Sequence, residues 1–289
     1  MIPDYVQRGD YEPLDTLIDL ALREDIGPGD VTTQAIYSGT EHARASLVAK
    51  QDGIIAGLAV AERVLRRVDQ TLVFTPSVQD GQRVANRQSI GEIQGKAGSI
   101  LTAERTLLNF MQRMSGIATM VHGYVEAVAH TSARILDTRK TLPGHRVTDK
   151  WAVLLGGGVN HRIGLYDRYL IKENHIAVAG GIDQAIRACL VHRNTLARTV
   201  EIELEVTSLT ELEQALVHHK HIDYIMLDNM SVDAMKTAVA MTGGRCRLEA
   251  SGNVTIDTVR TIAETGVDFI SIGAITHSVP AMDISLLFS

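Results

Sequence analysis

After Arg134 the chain alternates short apolar runs with amphipathic stretches. RILDT, YLIK, EIELEV, YIMLD, RLEAS and DFISI follow one another, separated by segments such as 208–217 and 255–264 whose apolar residues fall at helical spacing. Strands and helices that alternate in this way bury both faces of their strands as a parallel sheet, here closing toward a barrel. The stretch from Arg134 to Val279 is little more than half of the ~250 residues that a full eight-unit barrel takes, so five to seven units fit. The pattern predicts an incomplete parallel β/α barrel of six to seven strands. Its open part needs cover from another domain or subunit.

The chain reads differently before residue 116. A helix is expected over Leu14–Asp25, strands over 43–56, 72–78 and 90–94, and a helix over 57–68, with hairpin-like turns at Asp52-Gly53 and Asp80-Gly81. Helical spacing then recurs over 100–110 and 117–128. The expected division is an N-terminal α+β domain, an open-faced sandwich over residues 1–115, and a barrel domain over 116–279. The tail 280–289 is free to pack on the first. With 45% hydrophobic and 21% charged residues among 289, the chain has ample material for such cores. MIPDYVQRGDYEPLD lacks the basic and apolar regions of a secretory leader, and no apolar run reaches membrane-spanning length. Cys189 and Cys246 have no CxxC spacing, so a reduced, cytoplasmic setting without disulfides or zinc is expected.

Between Arg134 and His175 eight lysines and arginines face four acids, inside a chain of formal net charge −6. A basic pocket in an acidic protein suits a small anion, whereas the global charge repels nucleic acid. The polar residues fall where a barrel places its chemistry: Asp137, Lys140, Lys172, Glu205, Asp228, Ser251, Gly252 and Gly273 all lie at or after the carboxyl ends of expected strands. In EIELEV the acids Glu201, Glu203 and Glu205 alternate with apolar residues, so one side of the strand carries all three, and an apolar outer face turns them inward. Once buried they need cationic partners or a metal. EASGNVT and SIGA, rich in small residues, read either as a phosphate cup at a helix N-terminus or as simple chain turns.

ERTLLNFMQRMSGIAT from 104, ILDTRKTLPGHR from 135, GGGVNHRIGLYDRYLIKENHI from 156, IELEVTSL from 202, IMLDNMS from 225, LEASGN from 248 and FISIGAITHS from 269 together resemble the quinolinate phosphoribosyltransferase family. The family is also called nicotinate-nucleotide pyrophosphorylase (carboxylating). The likeness runs from about Asp25 to His277, with Thr207 departing from the usual acid or cysteine. It implies a pentosyltransferase of NAD biosynthesis. Quinolinate and 5-phosphoribosyl 1-pyrophosphate would give nicotinate mononucleotide, pyrophosphate and CO2, with Mg²⁺. By motif position, quinolinate would be held by Thr138, Arg139, His161, Arg162 and Lys172, and by Arg105 from the other subunit of a homodimer or a higher assembly. Lys140, Glu205 and Asp228 would be catalytic, the two acids also taking Mg²⁺, partly through water. Ser251, Gly252, Asn253, Gly273, Ala274 and His277 would bind the phosphates of the sugar substrate. Two alternatives stay open: a related phosphoribosyltransferase acting on another acid, such as the paralogues associated with molybdenum transport, and a non-catalytic binder of a phosphorylated metabolite. His218, His219 and His221 resemble metal ligands only superficially and read as solvated, while Trp151 and Met residues 111, 114, 226, 230 and 235 read as core or interface filler.

Overall fold

The computed structural model describes residues 12–288. Residues 1–11 of the opening stretch read for a leader, and Ser289, lie outside the described residues. In chain order the elements are α1 (Glu12–Ile26), α2 (Val31–Ile36), β1 (His42–Ala49), β2 (Gly53–Ile54), α3 (Leu58–Val68), β3 (Val73–Pro76), β4 (Arg83–Val84), β5 (Ser89–Lys96) and the long helix α4 (Ala97–Val128). Then come β6 (Arg134–Leu136), α5 (Arg146–Leu155), β7 (Arg168–Ile171), α6 (Glu173–Ala179), α7 (Ile182–Arg193), β8 (Glu201–Val206) and α8 (Leu209–Leu216). The chain continues through β9 (Tyr224–Asp228), α9 (Val232–Thr242), β10 (Arg247–Ser251), α10 (Ile256–Ala263), β11 (Phe269–Ser271), α11 (Ala274–His277) and β12 (Ile284–Phe288).

The chain forms two compact units. One holds the residues through His122, together with Thr141–Gly157 and the segment from Ala274 onward; the other holds Gly123–Lys140 and Gly158–Gly273. In the first unit a four-stranded antiparallel sheet has the order β12-β1-β5-β3, and β2 pairs with β4 in a two-stranded ribbon. Along β1 the residues Ala45, Leu47 and Ala49 alternate inward, the period of two expected of a sheet with one covered face. Asp80, at an expected turn, has a further role. Its Oδ1 accepts from the amides of Gly57 (2.7 Å) and Leu58 (3.0 Å), capping α3, whose own N-cap Gly57 has no side chain.

Helical spacing predicts two segments over 100–128, but α4 runs unbroken. The interruption, MQRMSG, is a packing site within the helix. Ser115 Oγ takes the Ala56 amide at 3.0 Å, and at Gly116 the chain at Pro280 comes so close that a Cβ would sit 2.2 Å from its carbonyl oxygen. Trp151 and Met residues 111, 114, 226 and 235 are buried, and Met230 is half-buried.

In the second unit the six runs after Arg134 form one parallel sheet of order β6-β11-β10-β9-β8-β7, and a single parallel bridge from Leu136 to Val159 extends it beyond β6. Chain-order neighbours pair except β6 and β7, so the last strand returns to the first, and the ring is incomplete between Val159 and β7. The residues facing the helices are apolar and buried: Ile202, Leu204, Val206, Ile225, Leu227, Leu248, Ala250 and Ile270. Ser208 and Ser231 cap α8 and α9 by accepting the amides three residues on. Gly116→Ala tests the packing in α4. Helix propensity would gain about 1 kcal/mol, but overpacking against backbone costs about 1–3. A lower urea midpoint is the expected result.

Candidate active site

The carboxyl ends of the parallel strands surround a cavity of about 540 Å³. Thr138, Arg139 and Lys140 enter after β6, His161 and Arg162 from the segment before β7, and Leu170 and Lys172 from β7 and its end. Glu205 comes from β8, Met226, Asp228 and Asn229 from β9 and its end, Ser251, Gly252 and Asn253 from β10 and its end, and Ser271 from β11.

Strand register explains how polar groups reach this space. Arg168, Leu170 and Lys172 share a side of β7, and the pairing sets Arg168 against Glu201 and Leu170 against Glu203. Glu201, Glu203 and Glu205 therefore occupy three successive levels. At the lowest, Glu201 is 3.1 Å from Arg168 and 3.3 Å from Arg247, and both guanidinium groups lie over the Tyr224 ring, 4.2 and 4.0 Å from its centroid. Glu203, one level up and fully buried, is 3.3 Å from Arg168 Nη1 and 2.9 Å from His161 Nε2. At the mouth Lys172 Nζ donates to Glu205 Oε2 at 2.5 Å.

Glu249, on β10, completes the middle level. It is buried, accepts from the Ser271 hydroxyl, and places Oε2 3.6 Å from His161 Nε2. Burial, and next the charge of Glu203, push its carboxyl well above the usual range. Burial alone would do the same to Glu203, but the bond from His161 and the charge of Arg168 outweigh it and hold Glu203 low. The two shifts are opposite in direction, so a proton held by the pair is favoured on Glu249 over Glu203. Among the described residues His161, Glu203 and Glu249 are the one cluster with metal-ligand spacing, and the shared proton accounts for two carboxyl groups lying so close there. His218 instead lies 2.9 Å from Asp183.

The segment before β7 is fixed from β6. The buried Asp137 accepts from Asn160 Nδ2 (2.7 Å) and from the His161 amide (2.8 Å), and His161 Nδ1 accepts the Arg162 amide at 2.8 Å. This leaves Nε2 as the donor toward Glu203. Burial, and after it the charge of Arg139, hold the Arg162 guanidinium below its ordinary range. Positive charge is crowded there, and an anionic ligand would relieve it.

Opposite these cations, two strand ends interlock. Asn229 and Asn253 have φ of +53° and +50°, and Gly252 has φ of +101°. The Asn229 amide donates to the Ser251 carbonyl (2.8 Å), Asn253 Nδ2 to Asn229 Oδ1 (3.2 Å), and Asn229 Nδ2 to Asp228 Oδ2 (2.7 Å). A Cβ on Gly252 would lie 2.2 Å from Asn229 Oδ1, so both conformation and space require glycine. The helix expected after this loop, α10, is capped by its own residues through reciprocal bonds of Thr255 and Thr258.

The other expected site residues are not among those that line this cavity. Gly273 follows β11 without lining the cavity, Ala274 opens α11, His277 ends it exposed with Nδ1 2.7 Å from Ser278 Oγ, and Arg105 is exposed on α4; Arg105, Ala274 and His277 belong to the first unit. The site residues expected from the sequence do not include Arg168 or Asn229, and Glu249 and Ser271 enter that reading only within the segments of the possible phosphate cup. RLEAS carries the same alternation as EIELEV, and that signal finds Glu249. Cys189 and Cys246 are unpaired, and burial raises both thiols, Cys246 to about 11, which disfavours a thiolate nucleophile.

An incomplete β/α barrel with cations on one side of its mouth and carboxylates beside a glycine turn on the other defines a protein that handles small phosphorylated and acidic molecules. Residues 30–115 match the family model for the quinolinate phosphoribosyl transferase N-terminal domain, and residues 117–287 match that for its C-terminal domain. The chain is 47% identical over 284 residues to quinolinate phosphoribosyltransferase [decarboxylating] 1 of Nicotiana glauca, covering 93% of this chain and 81% of that protein. It is 48% identical over 289 residues to the chloroplastic nicotinate-nucleotide pyrophosphorylase [carboxylating] of Oryza sativa subsp. japonica, covering 94% and 77%. The solved structure of nicotinate-nucleotide pyrophosphorylase from Francisella tularensis superposes with a TM-score of 0.91 at 41% identity, over 96% of each chain. The chain belongs to the quinolinate phosphoribosyltransferase family. Gly252→Ala should cost about 1–3 kcal/mol of stability in a urea titration. A loss below ~0.5 kcal/mol would show that the interlocked loop relaxes freely.

Proposed function

We propose that the cavity above the barrel is where this chain transfers the phosphoribosyl group of 5-phosphoribosyl 1-pyrophosphate to quinolinate, with loss of one carboxyl group as CO2, giving nicotinate mononucleotide for NAD biosynthesis. One observation carries the assignment: Arg139, Lys140, Arg162 and Lys172 come from the two edges of the incomplete sheet, while Glu205, Asp228 and the Ser251–Asn253 turn come from the strands between. A dicarboxylate and a charged sugar thus find opposite sides of one space.

Arg139, Arg162 and Lys172, with Thr138 and His161, would hold the two carboxylates of quinolinate, where planar guanidinium groups bind bidentately. His161 would act mainly by orienting the Arg162 backbone, since its Nδ1 takes that amide. Arg105 would enter from the partner of a homodimer. As pyrophosphate departs, positive charge develops on the anomeric carbon, and Glu205 and Asp228 would stabilise it while binding the ribose hydroxyls. Lys140, exposed at the rim, would balance the charge of the departing pyrophosphate. Ser251, Gly252 and Asn253, with Gly273, would seat the 5′-phosphate.

The two half-buried carboxylates in one cavity fit Mg²⁺, a hard cation that prefers oxygen ligands and keeps several waters. Glu205 and Asp228 would hold it, and when bound it would neutralise pyrophosphate oxygens. No helix of the described residues is long and apolar enough to cross a membrane. Two unpaired cysteines support a reducing, cytoplasmic location.

Lys140→Ala should lower kcat by about 10²–10³, the scale of losing one preorganised charge, and near-normal turnover with quinolinate, phosphoribosyl pyrophosphate and Mg²⁺ would remove Lys140 from this role. Inactive Arg105→Ala and Lys140→Ala subunits should regain partial activity when mixed and exchanged; exchanged dimers that stay inactive would exclude donation across the interface. Nicotinate, which lacks one carboxylate, should be a poorer acceptor than quinolinate by about 10⁴ in kcat/KM, because it leaves cations unpaired in the site. Equal use of the two acids would point to a paralogue with another substrate.

A further inference from the structure

One acid beneath the cavity has no part in holding either substrate. Glu249 is fully buried, and each element packed around it presents a defined group. β8 offers Glu203, β7 offers Arg168, the segment before β7 offers His161, and β11 offers Ser271. Register sets Met226 of β9 directly beside it. The donors of this cluster lie closest to Glu203, 2.9 Å away at His161 Nε2 and 3.3 Å at Arg168 Nη1, whereas His161 Nε2 is 3.6 Å from Glu249. Glu249 has instead the Ser271 hydroxyl on Oε1. A proton shared by two adjacent carboxyl groups is therefore held more favourably on Glu249, which is fully buried and farther from His161 Nε2 than Glu203 is. Ser271 is itself buried and also lines the cavity. A neutral acid, a hydroxyl and the substrate cavity thus stand in series.

We propose that Glu249 is the proton reservoir for the decarboxylation half of the reaction, delivering its proton through the Ser271 hydroxyl to the pyridine carbon that loses CO2. This rests on the activity proposed above. The bond between that ring carbon and its carboxylate breaks, CO2 departs, and the electron pair stays on the carbon beside the ribosylated ring nitrogen. The Ser271 hydroxyl, which donates to Glu249 at rest, turns its hydrogen to the carbon, and Oγ then takes the proton of Glu249, which is left as a carboxylate. Water returns one proton to Glu249 after the product leaves. Two charged carboxylates in a buried site are strongly disfavoured, which drives this recovery. The same arrangement gives selectivity: a weak acid keeps its proton from phosphate and carboxylate oxygens and releases it to a carbanion, a far stronger base.

Glu249→Gln preserves the shape and hydrogen-bonding capacity of the protonated acid but supplies no proton. In a rapid-quench single turnover with carboxyl-labelled quinolinate, pyrophosphate and CO2 are followed separately. The variant should slow CO2 release at least ~10-fold more than pyrophosphate release, within the usual ~10²–10⁴ range for general acids, so that the N-ribosylated dicarboxylate accumulates. Ser271→Ala should give the same split, and it decides the matter if Glu249→Gln fails to fold. Pyrophosphate and CO2 leaving in step in the folded variants, whether both slowed or both normal, would overturn the proposal. If the unaltered enzyme releases no pyrophosphate with quinolinate, the failure lies in the assigned activity instead.

Discussion

The ion pairing along β8 is the constraint on which the barrel unit depends. A strand with Glu201, Glu203 and Glu205 on one side cannot enter a folded interior unless each carboxylate meets compensating charge or a proton. The structure meets the three needs by three means: Arg168 and Arg247 below, His161 and Arg168 in the middle, and Lys172 at the mouth. Neighbouring strands must then hold one register, because a slip by one residue would turn the acids into the apolar layer under the helices. The same pairing that fixes the register also sets Glu205 and Lys172 at the height where ligands bind.

Glu249 shows how tightly this solution is drawn. The middle level holds two carboxyl groups, and His161 and Arg168 lie closest to Glu203, so burial and the charge of Glu203 push the second carboxyl toward its protonated form. Polar interiors of this kind contribute little net stability compared with apolar ones, but they specify one arrangement, since any other leaves a buried charge unmatched. Asp137 applies the same logic outside the strands, pinning Asn160 and the His161 backbone and so fixing the segment that carries Arg162.

Much of this was legible in the sequence. Six apolar runs after Arg134 became six parallel strands, and the shortness of the stretch foretold an incomplete ring. Thr138, Arg139, Lys140, His161, Arg162, Lys172, Glu205, Asp228, Ser251, Gly252 and Asn253 were expected together and line one cavity. The misses have physical causes. Ser115 and Gly116 look like a helix break, yet a close approach to Pro280 makes them an interior contact of α4. Asn229 in a left-handed conformation and the self-capping of α10 depend on local hydrogen bonds that residue spacing does not report. Ala274 and His277 follow directly on a barrel strand, yet tertiary contacts, which spacing cannot show, group them with the first unit.

The pairing of β12 with β1 bears on how the molecule is made. Register joins Ala45 to Phe288 and Ala49 to Ile284, so the edge of the first sheet is completed by residues translated after the whole barrel. During synthesis β1 emerges with one side unpaired and waits through the production of every barrel strand. Such an exposed edge is a template for pairing with other chains. Contacts so distant in sequence also form slowly. The first-made sheet is therefore the last to close, and the nascent protein is most exposed to misassociation when its barrel is already compact.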